Sequence, residues 1–146
     1  MVTFLLERTA PLPPDEVWRR LTSWERHGDV IPLTRVTVCT PPPTGRGTVF
    51  LARSGLGPVG FDDRMEVTEW QPPGEGEPGQ VRVEKRGRVV LGRVRIETAP
   101  GPGGGTRVVW RQELSVRFLP RLADPLLGAV ARAMYGRAVS RLISRP

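Results

Sequence analysis

Residues 106–118 read TRVVWRQELSVRF, a run in which apolar and charged side chains alternate. The even-numbered positions carry Val108, Trp110, Gln112, Leu114, Val116 and Phe118. Among the odd-numbered positions are Arg107, Arg111, Glu113 and Arg117. Because successive side chains of a β-strand point to opposite faces, this pattern predicts a strand with one buried face and one wet face. A sheet built from such strands must bury its apolar face against another element.

A helix that could cover this face is predicted directly downstream. Asp124-Pro125 is a strong helix start, with Asp124 as the N-cap and Pro125 at the first helical position. The remaining residues, about 20, would form a helix about 30 Å long. One broad stripe should lie across the sheet: Leu127, Val130, Ala131, Met134, Ala138 and Leu142. The opposite side is small and uncharged, and we interpret it as an ordinary surface, with contact to a second chain as the alternative: Ala129, Ala133, Gly136, Ser140 and Ser144.

Upstream of this pair the chain predicts two short helices and six more strands. A first strand over 2–8 is followed by a helix that begins at Pro14. Thr22 and Glu25 fit a capping box for the second helix, and Gly28 is expected to close it. The other five upstream strands are predicted at 34–40, 47–54, 61–70, 81–87 and 89–98, and the run at 106–118 is the seventh strand. The expected fold class is α+β, a seven-stranded curved antiparallel sheet around a long C-terminal helix, in one domain over 1–146.

Composition narrows the classes of partner and cofactor. The net charge of +7 comes almost wholly from arginine, since Lys85 is the only lysine. The arginines are spread along the chain, so no nucleic-acid partner is expected. One cysteine, Cys39, and one histidine, His27, argue against a disulfide or zinc site, and we expect no metal or cofactor. No leader or long apolar run is present, which predicts a cytoplasmic location without membrane insertion.

Several segments resemble the START-like or SRPBCC superfamily, especially its polyketide cyclase/dehydrase-type branch. They are PDEVWRRL at 14–21 with WE at 24–25, GRGTVF at 45–50, MEVTEWQPP at 65–73, and TRVVW at 106–110. The resemblance spans essentially the whole chain and implies a helix-grip fold. It also implies a choice of functions, because such relatives carry hydrophobic ligands, cyclise or dehydrate polyketides, modify other small molecules, or serve as interaction modules.

The predicted strand faces and the resemblance together place a cavity between the sheet and the last helix. The side chains expected to bind a ligand there are Phe61, Asp63, Met65, Val90, Trp110, Gln112, Leu127, Val130 and Met134. Val67, Val94, Ile96, Leu114 and Phe118 should complete the apolar wall. Each apolar member could equally be ordinary core.

Inward polar residues carry more information, because a buried polar group needs a partner or a purpose. Asp63 and Gln112 are predicted to face inward, and Lys85 does so on a shorter strand. Asp63 could act as a base if burial raised its pKa, but an ion pair with Arg53 across the hairpin is the favoured interpretation. Gln112 could hydrogen-bond a ligand carbonyl or hydroxyl.

Two further side chains could reach the cavity. His27 is expected at the end of the second helix, near the mouth, where it could serve as a general base. Its interaction with the helix dipole is the alternative and explains the position without catalysis. Tyr135 could offer its hydroxyl to a ligand, although packing is the simpler role.

Three functions remain open from the sequence. The leading hypothesis is binding of a small hydrophobic molecule, such as an aromatic or polyketide-derived one. The second is a cyclase or dehydratase in which Asp63, His27 or Gln112 assists proton transfer. The third is an interaction module that recognises an acidic carrier protein or forms a homodimer.

Overall fold

The fold is a curved sheet that grips a long helix, as the sequence predicts. The structure is a computed structural model that describes residues 1–56 and 58–144, so residues 57, 145 and 146 lie outside the described part. The strands are β1 Val2–Ala10, β2 Thr34–Val38, β3 Val49–Leu56, β4 Val59–Gln71, β5 Gly79–Arg86, β6 Val90–Pro100 and β7 Thr106–Val116. The helices are α1 Pro14–Thr22, α2 Trp24–Val30 and α3 Asp124–Leu142, with short 3₁₀ turns at Pro102–Gly104 and Arg121–Ala123.

All neighbouring strands are antiparallel, in the order β1-β7-β6-β5-β4-β3-β2. β7 has the predicted alternation, because Val108, Trp110 and Leu114 are buried whereas Arg107 and Arg111 are exposed. The seven-stranded antiparallel sheet with two short helices after the first strand confirms the predicted fold class.

A glycine is required at one position where β6 lies against β7. Gly92 of β6 has a φ of +141°, and a Cβ atom there would lie 1.9 Å from the Glu113 carbonyl oxygen of β7. Gly92 is paired with Lys85 on one side and Leu114 on the other. A side chain at this position would force the backbones of β6 and β7 apart.

The predicted capping box between the first two helices is wrong. The Thr22 hydroxyl donates to the Trp18 carbonyl oxygen at 2.8 Å, within α1, instead of capping α2. α2 also continues past Gly28 to Val30. A Cβ atom at Gly28 would lie 3.1 Å from the Val36 backbone nitrogen, so this glycine serves the close approach of α2 to β2 and not the end of the helix.

The small-residue side of α3 is not a free surface along its whole length. Gly136 is buried, and a Cβ atom there would lie 3.0 Å from an Arg8 guanidinium nitrogen of β1. Arg8 also donates from Nε to the Ser140 hydroxyl at 2.9 Å. Two residues outside the predicted stripe, Gly136 and Val139, are therefore buried, whereas Val130 within the stripe is 56% exposed.

The start of α3 also differs from the prediction by one residue. Asp124 lies in the first turn of the helix and Ala123 precedes it, with no side-chain cap hydrogen bond. None of the helices in the described ranges is long and apolar enough to cross a membrane.

Candidate functional site

A cavity of about 260 Å³ lies between the concave face of the sheet and the helices. The strands contribute most of its wall: Thr34, Val36, Phe50, Ala52, Ser54, Phe61, Asp63, Met65, Val83, Lys85, Val90, Val94, Ile96, Trp110, Leu114 and Val116. The helices and the chain after α2 supply the rest: Trp24, His27, Ile31, Pro32, Leu127, Val130, Ala131, Met134 and Tyr135. Apolar side chains dominate this wall, and its charged side chains are those of Asp63 and Lys85.

The structure brings eight of the nine ligand-binding candidates to this wall: Phe61, Asp63, Met65, Val90, Trp110, Leu127, Val130 and Met134. Gln112 is not among the lining residues. It is fully buried, and its Oε1 atom accepts a hydrogen bond from the Trp110 indole nitrogen at 3.0 Å. Gln112 faces inward as predicted. Its side-chain carbonyl is used to orient Trp110 and does not line the cavity.

Two apolar residues expected in the wall lie elsewhere. Val67 is fully buried in the core and is not among the residues that line the cavity. Phe118 is 90% exposed, because β7 ends at Val116 and the backbone of Phe118 turns out with a φ of +71°. The predicted strand is therefore two residues too long, because β7 ends at Val116.

The sequence interpretation missed the wall formed by α2, β2 and β3. Val36 faces Ala52 across β2 and β3, and Phe50 follows at the next inward position. The same alternation that identified β7 is present here, but it spans only a few residues in each strand. A two-residue period applied to these shorter strands could have found this side of the cavity.

Aromatic rings form a continuous row along the cavity. Phe50 stacks on Trp24 with ring centres 4.6 Å apart, and Trp24 lies 5.7 Å from His27. His27 lies 6.1 Å from Trp110, whose ring centre is 6.0 Å from that of Tyr135. These five residues all line the cavity, so a flat molecule would have ring faces and edges to pack against.

The buried charge of the cavity is an ion pair between strands β4 and β5. Lys85 Nζ lies 2.6 Å from Asp63 Oδ2 and 3.6 Å from the Met65 sulfur. Lys85 pairs with Met65 across the two strands, and Asp63 precedes Met65 by two residues. Asp63 is therefore the diagonal neighbour of Lys85 on the same inward face.

Arg53 is not the partner of Asp63, contrary to the prediction. Arg53 lies directly opposite Asp62, and their side chains meet at 3.2 Å on the exposed face of the sheet. Asp63 lies opposite Ala52 and points to the other face. Adjacent residues of a strand point to opposite faces of the sheet. An arginine that reaches Asp62 therefore lies on the face opposite to Asp63.

Lys85 keeps its positive charge although it is buried. Burial opposes the charged form, but the Tyr135 oxygen and the Asp63 carboxylate next to the ammonium outweigh it and raise the pKa of Lys85. The second carboxylate oxygen, Asp63 Oδ1, is buried with no hydrogen-bond partner in the described part of the chain. Lys85, Asp63 and Tyr135 form what we call the polar cluster.

His27 is a neutral neighbour of this cluster. Its Nε2 atom lies 2.8 Å from the Leu21 carbonyl oxygen, which can only accept, so Nε2 carries the proton and Nδ1 has the lone pair. Burial lowers the pKa of His27 and the Lys85 charge lowers it further, against the Leu21 carbonyl, which raises it. The imidazole ring hydrogen-bonds to the end of α1 and not to the end of its own helix, α2. The dipole of α2 therefore does not explain the position of His27.

Comparison with known proteins agrees with this architecture. No curated protein sequence matches the chain. Among solved structures, a STAR-related lipid transfer protein from Xanthomonas axonopodis is 18% identical with a TM-score of 0.70, covering 96% of this chain and 85% of that one. An aromatase/cyclase from Streptomyces sp. R1128 is 13% identical with a TM-score of 0.67, covering 97% and 90%. A protein from Thermus thermophilus is 17% identical with a TM-score of 0.69, covering 97% and 93%.

These likenesses show the fold, and they confirm the helix-grip architecture that the resemblance implied. Residues 1–145 also match, as a sequence, a family described as polyketide cyclase / dehydrase and lipid transport. That description supports binding of a hydrophobic ligand in general. The match extends over almost the whole chain, so this protein belongs to the polyketide cyclase / dehydrase and lipid transport family.

Proposed function

We propose that this chain is a single ligand-binding domain for a small, flat, mainly apolar molecule that carries one uncharged polar group. The observation that carries the proposal is the pairing of an aromatic row with one buried ion pair in the same cavity. Phe61, Met65, Val90, Trp110, Leu127, Val130 and Met134 would contact the apolar body. The polar cluster would receive the polar end.

The volume limits the size of the ligand. An apolar protein cavity of about 150 Å³ accepts a benzene molecule. A cavity of 260 Å³ therefore has room for a body of about two fused rings. The family description, which includes polyketide cyclases, supports an aromatic or polyketide-derived molecule of this kind.

The charges of the polar cluster favour an uncharged polar group. Lys85 and Asp63 already neutralise each other, so a carboxylate or ammonium on the ligand would bring an unbalanced charge into a dry site. A hydroxyl could donate to Asp63 Oδ1 and accept from the Tyr135 hydroxyl or the Lys85 ammonium. We therefore favour a phenol, an alcohol or a ketone over an acid.

Two probes with one ring system test this proposal. We expect 2-naphthol to raise the melting temperature and to quench the fluorescence of Trp24 and Trp110, which line the cavity. Naphthalene should bind about tenfold more weakly, because it cannot use the charged donors and acceptors. Failure of both compounds to bind would contradict the proposal.

A paired substitution locates the polar end. Replacing Asp63→Leu and Lys85→Met together removes the ion pair without leaving a lone buried charge. Naphthalene binding should persist, and the preference for 2-naphthol should disappear. The matched control is Arg53→Gln with Asp62→Asn, which removes the exposed ion pair one position away and should leave both affinities unchanged.

A proton-transfer enzyme is the second candidate, and the Nδ1 lone pair of the neutral His27 favours it. His27 would remove a proton next to a ligand carbonyl, and the Lys85 ammonium would stabilise the negative oxygen that results. Asp63 is less suited to be the base because Lys85 already holds it at 2.6 Å.

The raised pKa of Lys85 separates this mechanism from imine chemistry, because an ammonium is not a nucleophile. Borohydride should trap no adduct between Lys85 and a ketone probe. A ketone probe such as 2-tetralone should exchange its α-hydrogens for deuterium faster with the wild type than with His27→Gln. Equal exchange in both proteins would remove His27 as the base.

A further inference from the structure

Two hydroxyl side chains in the cavity wall lie outside the polar cluster. They are Thr34 of β2 and Ser54 of β3, which face each other across the two strands and both line the cavity. Their hydroxyl oxygens lie 3.0 Å apart. Both side chains are half-buried, and apolar residues form most of the wall around them. A polar pair in such a wall either serves the sheet alone or also meets a polar group of the ligand.

The contacts of Thr34 fix the direction of the hydrogen bond between the two hydroxyls. Thr34 Oγ1 also lies 3.0 Å from the Pro32 carbonyl oxygen, which can only accept. A hydroxyl has one hydrogen, so Thr34 donates to Pro32 and accepts from Ser54. The chain of hydrogen bonds therefore runs from Ser54 through Thr34 to the backbone.

This arrangement leaves Ser54 as a hydrogen-bond acceptor. Its single hydrogen points to Thr34, and within residues 1–56 and 58–144 its oxygen makes no other hydrogen bond. The remaining lone pairs of that oxygen belong to a side chain that lines the cavity. A ligand group that meets Ser54 must therefore donate, so a hydroxyl or an N–H suits this position and a ketone or an ether does not.

The register of the sheet sets the separation between Ser54 and the polar cluster. Asp63 lies opposite Ala52, and Phe61 lies opposite Ser54, which is two residues further along β3. At about 3.4 Å per residue, this step is about 7 Å along the strands. Asp63 is 6% exposed and Phe61 is 40% exposed, so accessibility increases from the polar cluster toward Ser54.

We propose that Ser54 is a second polar subsite, which receives a hydrogen-bond donor at the more accessible end of the ligand. The inference rests on the proposed function and adds to it the class of molecule, a flat apolar body with a polar group at each end. The inner group is the uncharged one that the polar cluster receives, and the outer group is a hydroxyl or an N–H. A step of about 7 Å requires that the two groups lie at opposite ends of a two-ring body.

Three naphthalene probes test the subsite by their dissociation constants, measured from the quenching of tryptophan fluorescence. 2,6-Dihydroxynaphthalene carries hydroxyls at opposite ends, 2,3-dihydroxynaphthalene carries both at one end, and 2-naphthol carries one. In the wild type the 2,6-isomer should bind about fivefold more tightly than 2-naphthol, because it gains one hydrogen bond. Ser54→Ala should remove this gain, whereas the affinity ratio of the 2,3-isomer to 2-naphthol should be the same in both proteins.

The matched control is Thr3→Ala, which removes an exposed hydroxyl from the outer face of β1. It should keep the preference for the 2,6-isomer. A preference that survives Ser54→Ala would overturn the inference. An equal preference for the 2,3-isomer that Ser54→Ala also removes would overturn the placement of the two polar groups at opposite ends.

The direction of the hydrogen bond is tested with symmetric probes that only accept. In the wild type, 2,6-dimethoxynaphthalene should gain nothing over 2-methoxynaphthalene, because the Ser54 hydrogen is engaged with Thr34. Thr34→Val frees that hydrogen, and the dimethoxy probe should then gain about threefold in affinity relative to the monomethoxy probe. The same ratio in both proteins would overturn the assignment of Ser54 as an acceptor.

Failure of this subsite can be told apart from failure of the proposed function. If 2-naphthol binds and the 2,6-isomer gains nothing over it in the wild type, the cavity binds a ligand and the Ser54 subsite is wrong. If none of the naphthalene probes binds, both the subsite and the proposed function are overturned.

Discussion

Asp62 and Asp63 are neighbours in β4, yet their ion pairs lie in opposite environments. The Asp62 pair with Arg53 is at 3.2 Å, and both side chains are about half exposed. The Asp63 pair with Lys85 is at 2.6 Å, and both side chains are nearly inaccessible. A one-residue step along a strand therefore separates an ordinary surface contact from the charged centre of a cavity.

The same difference applies to the two faces of the whole sheet. The outer face carries further exposed pairs, such as Arg93 with Glu113 and Arg95 with Glu97. Exposed pairs of this kind contribute little to stability, whereas a buried pair depends strongly on both partners being present. We expect substitutions on the inner face to have the larger effects.

The largest effect is expected from Asp63→Ala. It leaves the Lys85 ammonium buried without a carboxylate, and breaking a buried pair in this way destabilises a fold by about 3–5 kcal/mol. Asp62→Ala should lower the free energy of unfolding by less than about 1 kcal/mol. Urea denaturation of the two variants measures the difference, and equal losses would mean that the two pairs are not distinguished by burial.

Removing both members of the buried pair should have a smaller effect. Asp63→Leu with Lys85→Met replaces two desolvated charges by apolar groups, which is often neutral or stabilising by about 1–4 kcal/mol. The double variant should therefore be more stable than Asp63→Ala in the same urea experiment. A double variant as unstable as the single one would show that packing, and not the lone charge, dominates.

His27 should give the inner face a pH dependence that the outer face lacks. Its pKa is lowered in the folded protein, so the unfolded chain takes up a proton first as the pH falls below about 6.5. The stability that His27 contributes is thus present above pH 6.5 and is lost as the pH falls toward its folded pKa. The loss has a slope of at most about 1.4 kcal/mol per pH unit.

Denaturation at several pH values between 5 and 7.5 checks this expectation against His27→Gln, which keeps a donor for the Leu21 carbonyl. The slope of the free energy of unfolding against pH should be smaller in His27→Gln. The carboxylate of Glu16, whose pKa is lowered by hydrogen bonds from Arg20 and Arg19, should titrate below this window. The same slope in both proteins would contradict a depressed His27 pKa.

The smallest effect is expected from salt. Raising the salt to 1 M shortens the screening length to about 3 Å and should remove what the exposed Arg53 pair contributes, at most about 1 kcal/mol. A double-mutant cycle of Arg53→Gln and Asp62→Asn at low and high salt isolates this contribution. If salt did not change the coupling energy, the Arg53–Asp62 pair would be shielded from solvent in the same way as the buried pair.

The sequence anticipated the elements and most of the wall because both depend on local periodicity. The alternation in β7 and the Asp124-Pro125 start of α3 defined the sheet and the helix to within two residues. It also placed Phe61, Asp63 and Met65 on one inward face, which the register of β4 bears out. Long alternating runs are the strongest signal that a sequence carries.

Partner identity could not be predicted in the same way. Arg53 and Lys85 were both within reach of Asp63 in principle, and only the register of β4 with β3 and β5 decided between them. His27 was expected near the mouth, but its bond to Leu21 depends on how α2 turns back on α1. The burial of Gly136 likewise required β1 to lie beneath α3.

Strand and helix periods in the amino-acid sequence are enough to predict a seven-stranded sheet, a covering helix and an apolar inner face, because these periods are properties of the chain. The fold was needed to establish that Lys85 is the buried partner of Asp63, that Gln112 accepts a hydrogen bond from Trp110, and that Phe118 turns outward after β7. Those outcomes depend on distances between residues far apart in sequence. Strand pairing and helix docking set such distances, and no local pattern encodes them.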